Sequence, residues 1–176
     1  MSVPGYIIRL AHRPELPAVH EIERRARAAL ARRAEAFGKG SDAASDARPL
    51  EELTIANDDG RLWVAAHDSE IVGFALLSEL GLFAHLEELE VLPAHGRQGL
   101  GAELLEAACS WAGSRGFSAV THAGFHDLEW NLPFYLQRGF VEVPPSELPP
   151  ELLEIVRRDR RQRLGSDPRV LLQRDV

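Results

Sequence analysis

The run His95-Gly96-Arg97-Gln98-Gly99-Leu100-Gly101-Ala102 constrains this chain more than any other stretch. It joins an apolar strand pattern, Leu89 to Leu92, to an amphipathic helix pattern carried by Leu104, Leu105, Ala108, Trp111 and Ala112. A glycine-rich turn at that junction leaves backbone N–H groups uncovered by side chains, and the helix dipole adds partial positive charge at the same point. Such a turn binds phosphate. It is not a Walker A loop, because no Lys-Ser/Thr pair follows the last glycine. Nor is it a dinucleotide fingerprint, because the glycine order is G-x-x-G-x-G and no acidic residue closes a second strand about 20 residues on.

Before the turn, Tyr6 to Leu10 reads as a strand, and Val19, Ile22, Ala26, Ala29 and Leu30 recur at helical spacing. Arg24, Arg25, Arg27, Arg32 and Arg33 read as the solvated face of that helix. Small and polar residues from Gly38 to Pro49 describe a mobile connection, followed by a short helix from Leu50 to Ala56. Strands at Leu62 to Ala66 and Ile71 to Leu80, separated by His67-Asp68-Ser69-Glu70, form an antiparallel meander that continues into His85 to Leu92. The helix after the turn runs from Gly99 to Arg115 and stops at Gly116, and its crossover makes the strand Ser118 to Ala123 parallel to its predecessor. A helix from Trp130 to Arg138, a strand from Phe140 to Val143, a helix from Glu151 to Leu164 and a strand from Arg169 to Gln173 complete the order.

At 176 residues and 45% hydrophobic composition, the chain suits one domain spanning 1–176. No apolar run approaches the roughly 20 residues of a bilayer span, and Met1 to Leu10 lacks the marks of a signal peptide. A cytoplasmic protein without membrane contact is expected. The net charge of −7 argues against a nucleic-acid surface and mildly favours a cationic acceptor such as an amine. Cys109, the only cysteine, lies among apolar helix positions and reads as core.

A second segment follows in register: Trp130-Asn131-Leu132-Pro133-Phe134-Tyr135-Leu136-Gln137-Arg138-Gly139-Phe140. Together, Val91-Leu92-Pro93 with the G-x-x-G-x-G turn and the later Phe-Tyr-x-x-x-Gly-Phe core resemble the GNAT superfamily of acyl-CoA N-acyltransferases over Ile71 to Val143. The resemblance implies an α/β fold with a mixed, mostly antiparallel sheet flanked by helices. That sheet would be splayed between the strand ending near Val91 and the one starting near Ser118. It implies acetyl-CoA as co-substrate, no metal, and a pyrophosphate held by Gly96, Arg97, Gln98, Gly99, Leu100, Gly101 and Ala102. Backbone donors of Leu89 and Val91 would align the acyl group. Tyr135 would protonate the departing thiolate, which suits a phenol of reference pKa about 10 facing a thiol of about 8.5. Asn131, one helical turn before Tyr135, reads as a further cofactor contact or as a helix N-cap or turn residue. The chain departs from the family at Gly96, where Gln or Arg is usual, and at Leu128, where the usual asparagine would stand.

The strand before the turn carries Glu87, Glu88 and Glu90. Strict alternation sends His85, Glu87, Leu89 and Val91 to one face and Leu86, Glu88, Glu90 and Leu92 to the other. Three carboxylates do not suit a strand covered on both faces, so at least one should meet a polar cleft. By resemblance to small-amine acetyltransferases, Glu87 is the base or anchor for the amine, with Glu88, Glu90 and His85 as alternatives. His122 and His126 have metal-pair spacing but no shared helix, and Trp130 could border the pocket. The implied activity is transfer of an acetyl group to a primary amine of a small molecule or peptide by direct attack in a ternary complex. The alternative is a non-catalytic acyl-CoA-binding module, and either leaves room for a homodimer.

Overall fold

The computed structural model describes residues 3–36, 47–125, 131–161 and 169–176. A seven-stranded sheet runs in the order β1-β2-β3-β4-β5-β7-β6. Its strands are β1 (Tyr6–Leu10), β2 (Leu62–His67), β3 (Glu70–Leu80), β4 (Phe83–Val91), β5 (Ala119–Phe125), β6 (Val141–Val143) and β7 (Arg169–Asp175). Every neighbouring pair is antiparallel except β4 and β5. The helices are α1 (Leu16–Ala36), α2 (Leu50–Asp58), α3 (Leu100–Ser114), α4 (Asn131–Leu136) and α5 (Pro150–Arg161). The expected element order and the parallel crossover hold, with shifts of a few residues at the ends. The expected connection at 38–49 lies largely outside the described residues, as do His126, Leu128, Trp130 and the stretch 162–164.

Each face of the sheet buries a separate apolar layer. On one, Leu100, Leu104, Leu105, Ala108 and Ala112 of α3 pack against Val72, Ala75, Leu86 and Val120. Cys109 lies in this layer, and burial pushes its thiol up to about 11, as its reading as core requires. On the other face, Leu16, Val19 and Ile22 of α1 and Leu53 and Ala56 of α2 cover Val64, Phe74 and Leu76. There too Leu152 and Ile155 of α5 cover Leu171 and Phe83. Gly116, at φ +83°, ends the α3 segment as expected.

The strict alternation expected for 85–92 does not hold. The β3–β4 register pairs Leu77 with Leu86 and Leu76 with Glu88, so Glu87 is the extra residue of a β-bulge. One unpaired residue resets the facing of everything after it. Leu86, Leu89 and Val91 therefore join the α3 layer, while Glu88 meets side chains of the α1 face. Glu87 and Glu88 are not divided between opposite faces as alternation demands. Opposite the end of β4, Gly73 leaves no room for a side chain, since a Cβ there would lie 2.7 Å from the Glu90 carbonyl oxygen.

Candidate active site

Between β4 and β5 the sheet opens. Their parallel ladder runs from Phe83–Ala119 to Leu86–His122 and ends there. Leu92 donates its N–H to the Val72 carbonyl on β3 at 2.8 Å, so by strand alternation Glu90 and Glu88 also face β3. The N–H groups of Leu89 and Val91 consequently point into the opening. At its apex His122 donates Nδ1–H to the Leu86 carbonyl at 2.9 Å, which caps the last ladder position with a side chain. The His122 ring also lies 4.4 Å from that of Tyr135, tilted by 32°.

At one end of the opening lies the glycine turn. Gly99 is the residue before α3, with φ +93°, a conformation that disfavours any side chain. The first amide of α3 to meet a backbone acceptor is that of Glu103, which donates to Gly99, so those of Leu100, Gly101 and Ala102 have none within the helix. Arg97, Gln98 and Gly99 are exposed and precede them directly. Arg97 occupies the left-handed region at φ +58°, whereas Gly96, at φ −68°, does not need a glycine's freedom. The arginine thus sits on the residue whose backbone is strained. Gly101 backs onto Phe134 of α4, its Cβ position 3.6 Å from the ring, which ties the turn to the helix carrying Tyr135.

Tyr135 is buried, at 3% exposure, among Phe134, Phe140 and His122. Burial, with the nearby carboxylates of Glu90 and Glu88 adding, pushes its phenol above the ordinary range. The hydroxyl is thereby held protonated. Asn131 opens α4, is buried, and places Oδ1 3.2 Å from where a Cβ of Gly124 would be. Asn131 and Tyr135 are thus both buried on one short helix, four residues apart.

The α1–α2 face of the opening is acidic. Burial raises the Glu90 carboxyl to about 7, Glu88 adding to the effect and Arg27 opposing it. Glu87 accepts a hydrogen bond from Ser78 Oγ at 2.7 Å and lines a cleft of about 230 Å³ between α2 and β3–β4, together with Arg48, Glu52, Arg61 and Ser78. His85 is buried and shares a hydrogen bond with Thr121 Oγ1 at 2.9 Å. The strand residues expected to serve the acceptor are therefore distinct in setting. Glu87 lines a cleft, Glu90 lies electrostatically beside Tyr135, Glu88 is held by arginines, and His85 is inside the sheet.

Sequence reasoning missed three features. Arg27, read as part of a solvated face, bonds Glu23 and Glu88. Arg48, in the segment before α2, bonds the same two carboxylates. His122, weighed only as a metal ligand, supports Tyr135 instead. Among the described residues no group of His, Cys, Asp and Glu is arranged to hold a metal ion, and no helix is long and apolar enough to cross a membrane.

The sequence profile of the acetyltransferase (GNAT) family matches residues 18–140, and the chain belongs to that family. Its fold is shared with Ard1 from Thermoplasma volcanium, at 17% identity and TM-score 0.68 with 98% of each chain covered. It is equally similar to the paia N-acetyltransferase from Thermoplasma acidophilum in complex with coenzyme A, at 17% identity and TM-score 0.68 with 100% of each chain covered. N-acetylglutamate synthase from Neisseria gonorrhoeae, complexed with coenzyme A and N-acetyl-glutamate, matches at 23% identity and TM-score 0.65. There 97% of this chain covers 35% of the synthase, so the chain spans about a third of that protein's length.

Proposed function

We propose that residues 1–176 form one cytoplasmic acetyltransferase domain that moves an acetyl group from acetyl-CoA to a primary amine of a small molecule or peptide, by direct attack in a ternary complex. The observation that carries this reading is the opening between β4 and β5. Around it lie the glycine turn before α3, the lateral amides of Leu89 and Val91, a phenol held protonated, and a carboxyl raised by burial to about 7.

The residues fit coenzyme A. Amides at Gly96 to Ala102, with no side chain on Gly99, suit a pyrophosphate. The gap beyond Leu86 and His122 suits an extended arm. Bound there, the cofactor supplies an activated acetyl thioester. Leu89 and Val91 donate N–H groups to orient the acyl oxygen, Asn131 contributes a polar contact, and the Tyr135 hydroxyl gives its proton to the sulfur as the carbon–sulfur bond breaks and the carbon–nitrogen bond forms. On the other face Glu87 anchors the incoming ammonium in its cleft. The proton the amine must lose, from a pKa of about 10.4, passes to Glu90, whose value near 7 leaves it ready to accept at physiological pH.

The crystallised relatives support both halves of this reading, since two of those named above hold coenzyme A and one holds an acetylated amino acid. Calorimetric titration with acetyl-CoA tests the cofactor site. A folded Gly99→Val variant should bind at least about tenfold more weakly, equivalent to about 1.4 kcal/mol. Unchanged affinity would reject the placement.

A further inference from the structure

One charged cluster joins α1, the segment before α2 and β4. Glu23, in the middle of α1, is 0% exposed. Its Oε1 accepts from Arg27 Nε at 3.0 Å and from Arg48 Nε at 3.0 Å. The same two guanidiniums continue to Glu88 on β4, Arg27 Nη2 at 2.7 Å and Arg48 Nη2 at 3.3 Å from Oε1. Two cations are thus shared between two carboxylates that come from different elements. Glu23 Oε2 has no hydrogen-bond partner among the described residues.

As a brace this arrangement is a poor one. Desolvating charges offsets most of what their pairing gains, and apolar side chains of similar size would hold α1 to the sheet at least as well. Elsewhere on the same face Val19, Ile22 and Phe74 do so. What a charged cluster does that leucines cannot is set the potential at a neighbouring titratable group. That group is Glu90, two residues along β4 from Glu88 and about 7 Å away by strand rise.

We propose that Glu23, Arg27, Arg48 and Glu88 form a positioning network that tunes the protonation of Glu90 and so adjusts its ability to take the acceptor's proton. The inference rests on the reading of the chain as an acetyltransferase in which Glu90 receives that proton. The charged groups that act on Glu90 are Glu88 on β4 and Glu23 and Arg27 on α1, and Glu90 in turn acts on Tyr135 of α4. Burial is the largest influence and pushes its carboxyl up; of the charged groups, Glu88 and Glu23 push it up further and Arg27 pulls it down. Arg48 acts at one remove, by holding Glu88. Arg48 also lines the cleft that holds Glu87, so one side chain reaches both that cleft and the carboxylate two residues before Glu90.

The network makes a prediction of sign that a brace does not. In carbon-13 NMR of the full chain labelled at glutamate Cδ, with the Glu90 resonance assigned by its loss in Glu90→Gln, Arg27→Met should raise the Glu90 midpoint by about half a pH unit or more, and Glu23→Gln should lower it by a similar amount. Arg27→Lys, which keeps the charge, should stay near wild type. If Arg27→Met does not fold, Arg27→Gln, which removes the charge but keeps a polar side chain, replaces it, with the midpoint again rising. The acid limb of kcat/KM should move with the NMR midpoint. Shifts of one sign in all variants, or none, overturn the network. NMR shifts of the expected signs with an unmoved acid limb overturn Glu90 as the proton acceptor. Absence of any acetyl transfer by wild type, with the NMR shifts intact, sinks the acetyltransferase reading and leaves the electrostatics standing.

Discussion

Replacing Glu90 by Gln should make the protein more stable at pH 8 and leave it nearly unchanged at pH 4. Glu90 is half-buried on β4, and its carboxyl rises from the ordinary 4.5 to about 7, chiefly through burial. At 1.36 kcal/mol per pH unit, that difference corresponds to about 3 kcal/mol between the protonated and ionised forms, and residual solvent contact reduces it to about 2–3 kcal/mol. Between pH 4.5 and 7 the folded state binds the proton and the unfolded state does not. The stability linked to that proton is therefore full below about 4.5 and is lost as pH rises through about 7. Glutamine has nearly the same shape and never ionises, so it escapes the loss. Urea unfolding of both proteins at pH 4, 5, 6, 7 and 8 measures the difference, which should grow from near zero to about 2–3 kcal/mol. A difference independent of pH, or a variant less stable than wild type at pH 8, would show that Glu90 is not ionising in a desolvated site.

Arg97→Gly should relieve a left-handed backbone whose cost is about 1–2 kcal/mol for a residue with a Cβ, part of it offset by the entropy glycine adds to the unfolded chain. The net gain is about 0.5–1 kcal/mol in thermal or urea unfolding. Acetyl-CoA should bind more weakly at the same time, because the guanidinium beside the turn is gone; unchanged affinity would mean Arg97 does not meet phosphate. Glu87→Gln should lower the acetyl-transfer rate by raising KM for the amine while acetyl-CoA binding, followed by calorimetry, stays intact, because the amide keeps the Ser78 hydrogen bond but loses the charge. An unchanged KM for the amine would remove Glu87 from the acceptor's path.

The glycine turn and the parallel crossover were legible because each depends on short-range chemistry, whereas Tyr135 stood out only through its place in a family motif and would otherwise have read as a core aromatic. A turn needs glycines at fixed places, and a helix that follows a strand returns the chain in one hand. The bulge at Glu87 was not, since one extra residue leaves no mark on an alternating pattern. Its trace was indirect: a run with carboxylates at 87, 88 and 90 already resisted assignment to two buried faces. The network failed to appear for a different reason. Arg27 and Glu88 are 61 positions apart, and Arg48 and Glu23 are 25 apart, so only the fold joins them. One signal was available. Glu23 stands four residues after Val19, on the apolar stripe of α1, where a charge requires a partner. The role of His122 depends on the end of a strand ladder, which sequence does not announce.

The measurement that bears most directly on the account is free-thiol release from acetyl-CoA across a panel of primary amines, run with wild type and with Tyr135→Phe. That substitution keeps the buried ring against His122 and removes only the hydroxyl. The account predicts thiol release that depends on the amine, a product heavier by one acetyl group, and a fall in turnover of roughly a hundredfold in the variant with acetyl-CoA affinity preserved. Tight binding of acetyl-CoA with no amine-dependent release by wild type would contradict it and identify a module that binds the cofactor without turning it over.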